Sequence, residues 1–119
     1  MMLKVIRKFS CAHKLSKYEG KCANLHGHTY RAVFLIEGAP ADNGMIADFS
    51  KIKDILDSNL PDHKYLNDLL ENPTTENIAS YLAEKMTKVI KENFNLKLKG
   101  LELWENDTSA VVIGDIKND

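Results

Sequence analysis

A chain of 119 residues, 44% hydrophobic and with a formal charge of −1, has the size of one folded domain spanning residues 1–119, long enough to bury a core. No apolar run approaches the roughly 20 residues of a membrane helix, and the N-terminal Met-Met-Leu-Lys-Val-Ile-Arg-Lys lacks the apolar segment of a secretory signal, so no membrane association is expected. Two cysteines cannot make a disulfide framework, and both read as reduced thiols of a cytoplasmic protein.

The charge is unevenly spread. Residues 1–31 carry seven basic side chains (Lys4, Arg7, Lys8, Lys14, Lys17, Lys21 and Arg31) against one acid, Glu19, so the remainder of the chain is at −7. A basic first third favours an anionic small-molecule substrate. The excess is small and not interleaved with aromatic residues, so a nucleic-acid surface is not expected.

In chain order, residues 2–13 alternate as a strand, with Leu3, Val5, Phe9, Cys11 and His13 on one face and Arg7 as the exception. Residues 14–25 read as a polar loop. Residues 26–37 form a second strand with His26, His28, Tyr30, Ala32, Phe34 and Ile36 on one face. A loop with Gly38, Pro40 and Asn43-Gly44 follows. A helix is predicted from about Asp48 or Ser50, with Phe49, Ile52, Ile55 and Leu56 at helical spacing, and Leu60-Pro61 ends it. A longer helix is predicted after Pro73. Thr74 or Thr75 caps it, Glu76 favours its positive end, and Ile78, Leu82, Met86, Val89 and Ile90 make its apolar stripe. Residues 97–105 and 109–116 read as a closing hairpin around Asn106-Asp107-Thr108. The order ββααββ predicts an α+β fold: an antiparallel sheet with both helices on one face.

Three of the four histidines fall within sixteen residues. His26 and His28 are two apart and share a strand face, and His13 supplies a third imidazole. Three histidines with an open fourth position is the pattern of a catalytic zinc centre. A rival is a closed structural site using Cys11, Cys22 and two histidines. Lys21 and a nearby cation favour the thiolate of Cys22, which then acts as base or nucleophile. The pair Asp62-His63 is suited to moving a proton near neutral pH. Glu105 continues the phase of Leu101 and Leu103, and a carboxylate ending an apolar row needs a partner. It is suited to a planar guanidine-like edge.

Taken together, Phe9-Ser-Cys-Ala-His13, Cys22-(three residues)-His26-Gly-His28, Asp48-Phe49, Asp62-His63-Lys-Tyr-Leu-Asn67, Pro73-Thr-Thr-Glu-Asn77 and Glu105 resemble the 6-pyruvoyl-tetrahydropterin synthase and 6-carboxytetrahydropterin synthase family. The resemblance covers nearly the whole chain. It implies a tunnelling (T-) fold in which three subunits close a β-barrel, two trimers stack into a homo-hexamer, and active sites lie between subunits. It implies zinc on His13, His26 and His28, proton transfer by Cys22, Asp62 and His63, and a pterin anchored by Glu105 with help from Thr74, Thr75 and Glu76. The implied substrate is 7,8-dihydroneopterin triphosphate.

The three-residue spacer before His-Gly-His resembles the 6-carboxy branch, which releases acetaldehyde and triphosphate on the way to 7-deazaguanine nucleosides such as queuosine. The alternatives are the 6-pyruvoyl branch and a non-catalytic zinc- or pterin-binding module. Cys11 beside the first ligand, and Pro61 before Asp62, depart from the family pattern.

Overall fold

The computed structural model describes residues 1–15, 20 and 24–118. Two long strands open it: β1, Met2–His13, and β2, His26–Glu37. Helix α1, Phe49–Asn59, and helix α2, Thr75–Phe94, come next, separated by a short 3-10 turn at Leu66–Asp68. Strands β3, Lys97–Trp104, and β4, Ala110–Ile113, close the fold. The sheet runs in the order β1-β2-β3-β4 with every neighbour antiparallel. This is the expected ββααββ, α+β layout.

Alternation sets the two faces of the sheet. Val5, Phe9, Cys11 and His13 of β1 are buried with Tyr30, Ala32, Phe34 and Ile36 of β2. Ile52 and Leu56 of α1 and Ile78, Leu82, Met86 and Ile90 of α2 join them in a single core. At roughly 1.5–3 kcal/mol for each large apolar side chain, those four residues of α2 contribute on the order of 6–12 kcal/mol before chain entropy is set against them.

The helix ends follow their sequence signals. Asp48 caps α1 by accepting from Ser50 N, and Leu60 turns extended ahead of Pro61. Of the two threonines, Thr74 is the cap of α2, accepting from Asn77 N at 3.1 Å. Asn95 ends that helix in the left-handed region (φ 56°).

One expectation needs adjusting. The last strand stops at Ile113 rather than 116, because Gly114 follows and Asp115 takes a left-handed φ of 49°. Arg7, the odd polar residue on the inner face of β1, reaches α1 and holds Asp57 through two bonds of 2.8 and 2.6 Å, satisfying its charge at the margin of the core.

Candidate metal centre and pterin site

The register of β1 against β2 builds the site. His13 pairs directly with His26, and Cys11 with His28. The three imidazoles therefore meet on one face, at the end of the sheet, with ring centroids 4.5, 5.0 and 4.6 Å apart. One nitrogen from each lies within 4.8 Å of the others.

The hydrogen bonds determine which nitrogens face inward. His13 Nδ1 lies 2.7 Å from the carbonyl oxygen of Pro73, and His26 Nδ1 lies 2.7 Å from that of Asn24. A carbonyl only accepts, so both Nδ1 atoms carry the proton and both Nε2 atoms present lone pairs. Those two Nε2 atoms are 2.9 Å apart. Two neutral acceptors at that distance repel unless a cation, a proton or a metal ion, stands between them. Metal-bound histidines have this same arrangement, with the outer nitrogen donating to a carbonyl.

The third ring, His28, presents a buried Nε2 that has no hydrogen-bond partner among the described residues. Glu105 Oε1 is 3.1 Å away but not aligned for a hydrogen bond, so the contact is one of charge and proximity. Burial pushes the pKa of His13 and of His28 down; the Pro73 carbonyl opposes this at His13 and the Glu105 carboxylate at His28. Neutral imidazole is the form that binds metal. The donor set fits a divalent ion of borderline character.

Cys11 is buried, its thiol pushed up to about 12 by burial with a further push from the charge of Asp62. Among the described residues, the three-histidine group does not include it. Cys22 lies outside the described residues.

Asp62 and His63 sit elsewhere. Asp62 Oδ1 accepts from Ser10 N at 2.8 Å, and Oδ2 is 2.9 Å from His63 Nδ1. The Ser10 N–H first, and His63 after it, hold the Asp62 carboxyl below the usual range. His63 takes a left-handed φ of 57° and donates its own N–H to Ser10 O. The following residues run along the outer edge of β1, where Ala12 N donates to Lys64 O and pairs in parallel with Tyr65. His63 is thus highly exposed on the sheet edge, 84% at its side chain. It borders an open cleft of about 550 Å³ whose lining includes Ser10, Cys11, Gly27, His28, Thr29 and Tyr65. Among the described residues, no hydrogen bond or ion pair joins the pair to the three histidines.

Thr74, Thr75 and Glu76 form the start of α2, immediately after the carbonyl that holds His13. Sequence reasoning missed two backbone contributors, Pro73 and Asn24, and one side chain, Asn67. The Asn67 carboxamide accepts from Lys14 N and donates to Lys14 O, both at 2.8 Å, and so pins the chain as it leaves His13. The only available sign was an asparagine at the end of the Asp62–Asn67 motif.

Residues 2–115 match the family model described as 6-pyruvoyl tetrahydropterin synthase. The chain belongs to this family. A 6-carboxy-5,6,7,8-tetrahydropterin synthase from Synechocystis is 38% identical over 112 residues, covering 86% of this chain and 84% of its own. A dihydroneopterin monophosphate aldolase from Pyrococcus furiosus is 37% identical over 107 residues, with coverage of 87% and 88%. The structure of the Caenorhabditis elegans 6-pyruvoyl tetrahydropterin synthase superposes with a TM-score of 0.81 at 26% identity, covering 96% of this chain and 94% of that one. The fold is therefore the family's T-fold, and members of this synthase family are enzymes acting on pterins. No helix of the described residues is long and apolar enough to cross a membrane.

Proposed function

We propose that this synthase-family chain is a zinc-dependent 6-carboxy-5,6,7,8-tetrahydropterin synthase. It takes 7,8-dihydroneopterin triphosphate to the 6-carboxy product with release of acetaldehyde and triphosphate, in a cytoplasmic route to 7-deazaguanines such as queuosine. The observation that carries the metal is the facing pair of Nε2 lone pairs on His13 and His26, 2.9 Å apart with both outer nitrogens committed. The three-residue spacer from Cys22 to His26 and the Synechocystis relative support the 6-carboxy branch.

In this reading His13, His26 and His28 hold the zinc, which supplies Lewis acidity toward the oxygens of the pterin side chain. Glu105 anchors the 2-amino and N3 edge of the pterin, an edge of two adjacent donors that a carboxylate accepts in one plane. Thr74, Thr75 and Glu76, at the head of α2, complete the pterin pocket. The Cys22 thiolate takes a proton from the side-chain carbon. His63, its Nδ1–H held by Asp62, returns a proton from Nε2. Because this pair sits on the outer edge of β1, it serves a neighbouring subunit's site in a homo-hexamer of two trimers. There the β4 edge and the part of the β1 edge before Ser10 pair between subunits.

A second reading, cleavage of dihydroneopterin monophosphate, is favoured by the Pyrococcus furiosus relative of nearly equal identity. Incubating the zinc-loaded protein separately with dihydroneopterin triphosphate and monophosphate, followed by mass spectrometry, decides between them. A 6-carboxytetrahydropterin formed with acetaldehyde from the triphosphate supports the proposal. A 6-pyruvoyl product moves the chain to the other branch. Turnover of the monophosphate alone makes it an aldolase, and turnover of neither leaves a binding module.

A further inference from the structure

His13 occupies the least secure place that a strand offers a ligand. It is the last residue of β1, and its pairing with His26, the first residue of β2, is the final rung of their ladder. Terminal rungs open more readily than central ones. The Pro73 carbonyl orients the His13 ring, but the backbone beneath the ring needs a hold of its own. Residues 62–67 supply one along the outer edge of β1. Ser10 N donates to Asp62 Oδ1, His63 N donates to Ser10 O, and Ala12 N donates to Lys64 O. By Lys14 the segment has entered its 3-10 turn, and the side chain of Asn67 takes over from the main chain. Its Oδ1 accepts from Lys14 N and its Nδ2 donates to Lys14 O, both at 2.8 Å.

We infer that Asn67 is a positioning residue of the metal centre: its carboxamide locks the end of β1, so that His13 already stands opposite His26 before an ion arrives. The inference rests on the metal reading of the preceding subsection and deepens it. One carboxamide makes both bonds that a residue of an adjoining strand would make, and it makes them on the residue next to the ligand. The bonds at Ala12 and Lys14 therefore bracket His13 on both sides. The carboxamide is itself set on a fixed base. Leu66 is 1% exposed in the core, and Leu69 N and Leu70 N both donate to Leu66 O. Neither a carboxylate nor a methyl group can replace it, because the Lys14 main chain presents one donor and one acceptor, and only an amide answers both. A ligand held in its binding position gains affinity, because ordering it is no longer part of the binding event. The same short segment carries Asp62 and His63 at its other end, so β1 fixes the spacing between that pair and His13.

The test is competition for Zn2+ against a chromophoric chelator, using the intact protein, with cobalt substitution as a spectroscopic readout of ligand geometry. Asn67→Ala is expected to weaken Zn2+ binding about 10- to 100-fold, the range seen when groups that orient metal ligands are removed, and to change the cobalt d–d absorption. Asn67→Asp keeps the acceptor for Lys14 N and loses the donor to Lys14 O, so its affinity should fall between the two. Asn59→Ala is the control for stability alone, because Asn59 also spends its amide on a main-chain oxygen, that of Ile55, but within α1. It should lower the melting temperature and leave both metal readouts unchanged. Hydrogen exchange of the metal-free protein adds a readout without metal: Asn67→Ala should speed exchange at His13 and leave Phe34, in the middle of β2, unchanged. Equal Zn2+ affinity in wild type and both Asn67 variants overturns this inference and leaves the metal reading intact, as does an equal loss in Asn59→Ala. No Zn2+ binding by wild type overturns both. Asn67→Asp, nearly isosteric, preserves the test if the alanine variant folds poorly.

Discussion

Metal loading should raise the melting temperature of this protein, and a single histidine substitution should abolish the gain. His26→Ala is the variant of choice. The His26 ring is half-buried with its outer nitrogen on an exposed carbonyl, so its loss disturbs packing little. His13 is 1% exposed, and its removal would damage the core as well as the site. For a ligand that binds only the folded chain, a hundredfold excess over its dissociation constant stabilises by about 2.7 kcal/mol. Unfolding entropy near the melting point is about 2.1 cal/mol/K per residue. Over 119 residues this amounts to roughly 0.25 kcal/mol/K, so the gain corresponds to about 11 °C. Differential scanning calorimetry at fixed protein concentration, on chelator-treated samples with and without Zn2+, measures it. An equal shift in wild type and His26→Ala would refute the ligand assignment.

Burial lowers the pKa of both His13 and His28 in the fold, so in acid the unfolded chain binds more protons than the native one. The stability of the metal-free protein should be flat above about pH 6.5, the ordinary histidine value, and fall below it towards the lowered folded values. Denaturant titrations at several pH values check this. Cys22→Ala should keep zinc and pterin binding and lose turnover, as metal analysis and single-turnover kinetics will show; loss of zinc instead would make Cys22 a ligand. Thr74→Ala removes the cap of α2 and should cost about 1 kcal/mol of stability in urea unfolding, with a weaker pterin affinity if the head of α2 lines the pocket. Light scattering should give a hexamer of the 13.4 kDa chain, whereas a monomer at micromolar concentration contradicts the shared-site reading.

The strands were legible because each alternates around one buried face, and the histidines simply continue the phase of Phe9 and Tyr30, which stack in the core. The first helix was placed from about Asp48 or Ser50 by the spacing of its apolar residues, and Pro61 announced its end. What could not be read was contact across the chain. The partner of Arg7 is fifty residues away at Asp57. The 3-10 turn at Leu66–Asp68 exists because Leu66 enters the core and Asn67 grips Lys14. No local pattern encodes either. The three zinc candidates were readable from spacing alone, but the register placing His13 opposite His26, and the carbonyls that orient both rings, belong to the folded chain.

Those two carbonyls bear on how the centre varies in evolution. In many metal sites a carboxylate side chain orients the ligand, and one codon change removes it. Here Pro73 and Asn24 act through their main-chain oxygens, which every amino acid possesses. Point mutation at either position leaves the acceptor in place, so the protonation pattern of His13 and His26 is shielded from ordinary substitution. It is exposed instead to insertions and deletions that shift the backbone. Descendants of this sequence should accept residue changes at 24 and 73 more readily than any change in the length of the segments that carry them.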